Sequence, residues 1–166
     1  YNNKNFLVMS HDDLFKKSEP GKAIFSNFVE KRNKLLEESK NIEETFVSEE
    51  LLLTKKRENL SSDEFQKLAN DFDKKVEITR KNRLERDRSL QNDFNIWKQN
   101  FVKIILPIVK KIMSDYGASV VLDTSTRGII YEQNIDITSD VIIMLNKVYK
   151  ENPEIFRTIV EGEENE

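Results

Sequence analysis

Apolar residues recur every three or four positions along the first part of the chain. Between Phe25 and Leu60 the steps alternate between three and four residues, and seven of the eleven positions in this series are apolar. The polar positions in the series are Arg32, Ser39, Glu49 and Lys56. Heptad spacing of this kind is typical of a helix that packs against another helix, so the pattern predicts a long helix with an imperfect apolar seam.

A second apolar series of the same period runs from Phe65 to Ile104. The polar stretch 59–64 separates the two series, and Ser61 or Ser62 in it is a good N-cap for the second helix. We expect residues 20–104 to fold back as an antiparallel coiled-coil hairpin with its tip near residues 59–63. At 1.5 Å per residue, about 40 residues would reach roughly 60 Å, so the pattern predicts a projecting arm.

Residues typical of strands and turns return at both ends of the chain. We predict strands at residues 5–10 and 119–123, and another at 128–131 after a turn. A closing helix follows from 141 to about 150, with Thr138 as its N-cap.

The predicted fold is therefore α+β and mostly helical. Residues 5–19 and 105–150 are expected to form a discontinuous, β-rich body, into which the hairpin is inserted. Residues 151–166 hold six acids and one base, and we expect them to form an acidic, flexible tail.

The predicted body has too little core to be stable alone, because a few short strands and one helix leave apolar side chains half exposed. We therefore predict an obligate homo-oligomer. Its expected interface consists of apolar residues in the predicted strands: Phe6, Val8, Val120, Val121, Leu122, Ile129, Ile130 and Tyr131.

Composition narrows the possible chemistry. The chain has 166 residues, no cysteine and one histidine, which excludes disulfides, thiolate zinc sites and sites that need two imidazoles. Its apolar runs fall far short of the roughly 20 residues that cross a bilayer. The sequence does not begin with methionine and carries no signal-peptide core, so it is expected to be a mature or trimmed product.

Charge is unevenly placed. Of the net charge of −3, residues 151–166 carry −5, which leaves +2 for residues 1–150. Such a balance provides no basic field for nucleic acid, which we do not expect as a partner. The most basic stretch, residues 80–88, has five bases and two acids, and is either a solvated helix face or a loose segment that meets an anionic partner.

Candidate catalytic chemistry is sparse. Gly21 and Lys22 do not form a P-loop, because no glycine-rich turn precedes them. His11 lies beside Asp12 and Asp13, where one of the carboxylates is expected to cap the first helix rather than hold a metal. The sequence predicts no catalytic, cofactor-binding or metal-binding residues, and no enzyme.

Several short motifs resemble the periplasmic chaperone Skp (OmpH-like) family over roughly residues 5–150. The motifs are Ser18-Glu19-Pro20-Gly21-Lys22-Ala23, Ile105-Leu106-Pro107-Ile108-Val109, Tyr116-Gly117-Ala118-Ser119-Val120-Val121-Leu122-Asp123 and Ile135-Asp136-Ile137-Thr138. The forms of the second and third look most like alphaproteobacterial members.

This resemblance implies a jellyfish-like homotrimer with three helical arms around a cavity. It implies an ATP-independent periplasmic holdase that keeps unfolded outer-membrane proteins in that cavity and prevents their aggregation, with peripheral contact to membrane lipids left open. Many family members are strongly basic and often have a base where this chain has Thr124, so no lipopolysaccharide site is transferred. The alternative is a structural coiled-coil adaptor that presents its arms to one specific protein partner.

Client-binding residues are expected near the tip of the hairpin. The apolar candidates are Phe46, Val47, Leu51, Leu52, Phe65 and Phe72, for which packing between the two helices is the alternative. The basic candidates are Lys55, Lys56 and Arg57, with Lys74 and Lys75 nearby, for which a solvated face is the alternative.

Overall fold

The computed structural model describes residues 5–126 and 128–161 and is dominated by helices. In chain order the elements are strand β1 (Phe6–Met9), helix α1 (His11–Lys17), helix α2 (Glu19–Lys56), a 3-10 turn (Arg57–Asn59), helix α3 (Ser62–Asp115), strand β2 (Val120–Asp123), a second 3-10 turn (Gln133–Ile135), helix α4 (Thr138–Glu151) and helix α5 (Pro153–Glu161). The fold class is confirmed: a mostly helical chain with a long helical hairpin and a small sheet.

The chain divides into two compact units. The body unit comprises Tyr1–Asn27 and Phe94–Glu166, and the hairpin unit comprises Phe28–Asp93. The hairpin unit is thus a continuous insertion between the two halves of the body unit in the sequence.

In the hairpin unit, α2 and α3 run antiparallel. Three ion pairs join the two helices at N···O distances of 2.7, 3.0 and 2.7 Å: Glu38–Arg86, Glu43–Arg83 and Glu49–Lys75. The Phe46 and Phe72 rings also meet edge to face, with their centroids 6.0 Å apart. Glu49 and Arg83 lie at polar positions of the two heptad series. Their ion pairs connect the two helices at positions where apolar contacts are missing.

The tip of the hairpin lies where the sequence predicts it. After the 3-10 turn, Ser61 and Glu64 form a capping box: the Glu64 N–H donates to Ser61 Oγ at 3.4 Å, and the Ser61 N–H donates to Glu64 Oε2 at 3.1 Å. The hydrogen bonds from the Ser61 side chain and backbone lower the pKa of Glu64. Ser61 is therefore the N-cap of α3, and Ser62 is its first residue.

The core of the body unit is formed mainly by helices. Leu14 of α1, Phe101 of α3 and Leu145 of α4 are fully buried, as is Leu7 of β1. The Phe15 ring meets the Phe101 ring edge to face, at a centroid distance of 5.3 Å. The two strands have only four residues each and form a small sheet beside these helices.

The first of the motifs that resemble the family, residues 18–23, contains Gly21 at a position that has no room for a side chain. Ser18 is buried, and its Oγ accepts a hydrogen bond from the Gly21 N–H at 3.1 Å at the start of α2. A Cβ atom added at Gly21 would lie 2.0 Å from the Phe15 carbonyl oxygen. The absence of a side chain at this position lets α1 and α2 approach this closely.

The sheet is parallel, and β1 is its central part. β1 pairs with β2 in the register Phe6↔Val120 to Met9↔Asp123, and its other edge is taken by a bridge between Val8 and Asp136. Both edges of β1 are therefore used by the chain itself.

The strand expected at 128–131 is not observed: these described residues have no strand structure. After β2 the chain turns around Asp123, whose Oδ1 accepts from the Ser125 N–H at 2.9 Å. Residues 128–131 form no ladder with β2. The expected strand is thus replaced by an extended loop, and the Ile130 side chain in it is 100% exposed.

Two expected helix caps are corrected. Ser10 caps α1, because its Oγ accepts from the Asp13 N–H at 3.2 Å, while Asp12 and Asp13 lie in the first turn. At α4, Asp136 Oδ1 accepts from the N–H of Thr138 at 2.8 Å, and Thr138 is the first helical residue. In both cases a polar side chain just before the expected cap satisfies the free N–H groups at the helix start.

The expected flexible tail is corrected up to residue 161. Pro153–Glu161 form helix α5, in which Phe156 and Ile159 are 3% and 6% exposed. These two apolar residues lie three positions apart, so both face α4 from the same side of the helix. The many acidic residues of the segment had favoured a flexible tail instead. Residues 162–166, also part of the expected tail, lie outside the described residues.

Candidate functional site

Polar clusters in the body unit serve local structure. Asp123 Oδ1 accepts from the His11 N–H at 3.1 Å as well as from Ser125. Burial raises the pKa of Asp123, but the hydrogen bonds from the Ser125 and His11 backbones outweigh it, and its pKa lies below the ordinary 3.8. This carboxylate is thus held ionised at the start of α1, where it accepts a helical N–H.

The described part of the chain contains neither a metal-binding cluster nor a helix that could span a membrane. Across residues 5–126 and 128–161, no group of three or more His, Asp or Glu side chains is placed to hold a metal ion. Within the same residues, no helix contains a long enough apolar stretch to cross a membrane.

The six apolar candidates in the hairpin unit divide into two groups. Val47, Leu51 and Leu52 are exposed to solvent. The three aromatic candidates are half-buried: Phe46 and Phe72 pack against each other across the two helices, and the Arg57 guanidinium lies 5.3 Å from the centre of the Phe65 ring. The structure thus leaves the aliphatic candidates available for contacts and uses the aromatic ones for internal packing.

The basic candidates near the tip are also divided by their contacts. Lys55, Lys56 and Arg57 are exposed, and Arg57 covers the Phe65 ring. Lys75 Nζ is paired with Glu49 and lies 5.7 Å from the centre of the Phe46 ring. Lys75 therefore belongs to the seam of the hairpin.

The structure adds exposed apolar residues that the sequence analysis missed. Five further large aliphatic side chains of the hairpin unit face solvent: Leu36, Ile42, Leu68, Ile78 and Leu84. Three of them, Leu36, Ile78 and Leu84, lie outside the heptad seams, and an apolar residue outside the seam is the signal that could have identified them. The hairpin unit therefore carries exposed aliphatic side chains along much of its length, with Val47, Leu51 and Leu52 grouped near the tip and many charged residues around them.

A cavity of about 290 Å³ separates the two helices of the hairpin unit. Its floor is apolar, with Leu35, Ile42 and Phe46, and Thr79 and Arg83 line the opposite side. It lies where α3 has the polar residues Thr79 and Arg83 at its heptad positions. The helices are therefore loosely packed beside the basic stretch 80–88.

The residues expected at a subunit interface lie around the sheet and the following loop. Phe6, Val120 and Leu122 share one face of the sheet in the observed register and are exposed, as are Ile130 and Tyr131. Val121 and Ile129 are half-buried. Val8 is only 2% exposed because the chain itself covers it, so its side chain is not available to another subunit.

Comparisons with known proteins agree with this architecture. The family model described as outer membrane protein (OmpH-like) matches residues 5–145. No curated protein matches the chain closely enough to count as a relative. Among solved structures, the chain is similar to a proposed outer membrane chaperone (OmpH-like) from Caulobacter crescentus, with 17% sequence identity and a TM-score of 0.78 over 86% of this chain and 84% of that chain.

The structural likeness concerns the fold, while the family match covers most of the chain. The resemblance drawn from the sequence motifs is thereby confirmed, and its alphaproteobacterial character is consistent with the source of the similar structure. The chain belongs to the outer membrane protein (OmpH-like) family.

Proposed function

We propose that the chain is an ATP-independent holdase chaperone of the periplasm, which binds unfolded outer-membrane proteins and prevents their aggregation. Membership of the OmpH-like family supports a chaperone role and a periplasmic location. The observation that carries the proposal is the set of aliphatic side chains exposed on the charged hairpin unit: Leu36, Ile42, Val47, Leu51, Leu52, Leu68, Ile78 and Leu84.

Small groups of apolar side chains on a charged surface suit reversible capture of unfolded chains. Each contact that buries part of one aliphatic side chain contributes on the order of 1 kcal/mol. Several such contacts to one client add through avidity, while each of them breaks easily. Release therefore needs no nucleotide, and the charged residues in between keep the complex in solution.

The loose seam of the hairpin unit supports the same function. The cavity between the helices, next to the ion pairs of Arg83 and Arg86, leaves part of the interhelical contact without close packing. Loosely packed segments open at lower free-energy cost than dense cores. The two helices are therefore expected to adjust their contact surface to clients of different sequence.

The proposed assembly is a homotrimer formed through the exposed sheet face and loop of the body unit. Phe6, Val120, Leu122, Ile130 and Tyr131 are large apolar side chains that one chain leaves in contact with water. Contiguous exposed apolar surface is typical of an interface. The number three comes from the family resemblance.

The holdase activity is tested by diluting an unfolded outer-membrane β-barrel protein from urea and following its aggregation by light scattering. We expect the wild type to suppress aggregation without nucleotide, and the triple variant Val47→Ser, Leu51→Ser, Leu52→Ser to need roughly tenfold more chaperone. The control variant Ile96→Ser, Ile143→Ser changes two exposed residues of the body unit and is expected to act like the wild type.

Equal protection by the triple variant and the wild type would contradict this client surface. A chain that suppresses no aggregation, but binds one folded partner with a defined stoichiometry, would favour the adaptor function.

The assembly is tested by native mass. Ile130→Asp is expected to dissociate the oligomer without unfolding the chain, because the side chain is fully exposed in one chain and becomes an unpaired charge only in an interface. Val121→Asp is also expected to weaken assembly, whereas Arg83→Ala in the hairpin unit is expected to leave the mass unchanged. A wild-type mass for both aspartate variants would place the interface elsewhere.

A further inference from the structure

Helix α5 lies beyond the part of the chain that the family model matches, which ends at residue 145. A single residue, Asn152, connects it to α4, and the Asn152 N–H donates to the Val148 carbonyl at 2.9 Å. Its apolar side is seated in the body unit: the Phe156 ring meets the Tyr149 ring edge to face at 5.2 Å, and Ile159 is buried one turn later.

The attachment of α5 is apolar. Throughout residues 5–126 and 128–161, no hydrogen bond or ion pair of an α5 side chain reaches another element. Arg157 pairs with Glu154 and Glu161, at 3.5 and 3.1 Å, within α5 itself. Two buried side chains thus account for most of the anchoring of this helix.

The contact between α5 and the rest of the body unit is not completely packed. A cavity of about 310 Å³ lies between α5 and the first turns of α2, lined by Pro20, Ala23, Ile24 and Asn27 on the α2 side. Asn27 Oδ1 is buried there without a hydrogen-bond partner among the described residues. A helix of nine residues is not stable in water on its own, so α5 is helical only while this incomplete contact holds it.

We propose that the groove formed by α4 and the first turns of α2 is an acceptor site for a short amphipathic helix, which α5 occupies reversibly. The occupant that fits it has the pattern α5 displays: an aromatic residue followed three positions later by an aliphatic one, with charged residues beside them at the edge of the cavity. A helix of this pattern from another polypeptide replaces α5 in the groove. This proposal does not depend on the holdase function.

The first test compares Ile159→Ala with Ile155→Ala in the full chain by hydrogen–deuterium exchange. The two substitutions remove the same atoms from the same helix, but Ile159 is buried and Ile155 is 44% exposed. We expect Ile159→Ala to speed exchange of the α5 amides by at least about tenfold. Ile155→Ala should change it by less than roughly twofold, and exchange of the α4 amides should stay unchanged in both variants. Loss of protection in α4 together with α5 would overturn the proposal.

The second test uses a fluorescent peptide with the sequence of residues 151–161. We expect it to bind the full-length Ile159→Ala chain at least about tenfold more tightly than the wild type, because the weakened α5 competes less for the groove. The same peptide with Phe156→Ala should not bind. Absence of binding to the Ile159→Ala chain, or equal binding of both peptides, would overturn the acceptor site.

Discussion

The body unit is expected to depend strongly on Phe101. This side chain has no exposed surface, and its ring lies 5.3 Å from that of Phe15 at an interplanar angle of 86°. Replacing it by alanine removes an aromatic ring from the centre of a core in which α1 packs against α3. The surrounding helices leave a cavity that they can close only in part.

The expected loss can be worked out from burial. A phenylalanine side chain buries about 150–250 Å², which at about 25 cal/mol per Å² corresponds to about 4–6 kcal/mol as an upper estimate. Measured Phe→Ala substitutions in cores cost about 3–5 kcal/mol. We therefore expect Phe101→Ala to lower the free energy of unfolding by about 4 kcal/mol, a large part of the typical stability of about 5–15 kcal/mol.

Trp97 provides the assay, since it is the single tryptophan of the chain and is buried one turn before Phe101. Its fluorescence, followed in urea at fixed protein concentration, reports unfolding of the body unit. With a slope of about 2 kcal/mol per molar urea, the midpoint should fall by about 2 M. The control Ile96→Ala, at an exposed position beside Trp97, should shift it by less than about 0.5 M, and an equally small shift for Phe101→Ala would refute the reasoning.

Three further substitutions test other parts of the structure. Gly21→Ala should destabilise the body unit by about 1–3 kcal/mol in the same urea assay, because the new Cβ would overlap the Phe15 carbonyl oxygen. Asp123→Asn should reduce the fall in melting temperature between pH 6 and pH 3, measured by thermal unfolding. The pKa of Asp123 is lowered in the folded chain, so its ionised form stabilises the fold. This stability is present above about pH 3.8 and is lost as the pH falls through the folded-state pKa. Reversing either charge of the Glu38–Arg86 pair should weaken the hairpin unit by up to about 1 kcal/mol, and reversing both should restore it.

Each of the three has its own control and contrary result. Ser26→Ala at an exposed position of α2 should leave the urea midpoint unchanged, and equal midpoints for Gly21→Ala and the wild type would show that α1 can move away. Asp12→Asn should retain the acid dependence that Asp123→Asn loses. For the ion pair, the differences should fade at 1 M salt, and an effect of the same size at high salt would assign it to packing.

Local features of the hairpin unit could be predicted from the sequence because they depend on neighbours within one or two helical turns. The heptad spacing predicts both long helices, and Ser61 or Ser62 as N-cap predicts the start of α3; the hydrogen bonds of Ser61 identify it as the cap. Which apolar residues stay exposed was harder to predict. Leu51 and Phe46 have similar hydrophobicity, but only the ring of Phe46 meets a partner across the seam.

The errors concern contacts between distant parts of the chain. Val8 and Ile130 both have strand propensity, yet Val8 lies in a strand and is buried, whereas Ile130 lies in a loop and is fully exposed. The acidic composition of residues 151–166 suggested a flexible tail, whereas the Phe156 ring packs against the Tyr149 ring on the adjacent helix.

By itself, the sequence determined the two long helices, the tip of the hairpin and the family to which the chain belongs, since periodicity, caps and short motifs are local properties of the residues. Only the tertiary structure decided which apolar side chains are core, which are exposed and which groove α5 occupies. The physical reason is that burial depends on the surface that another segment presents, and that surface exists only after the segments have packed together.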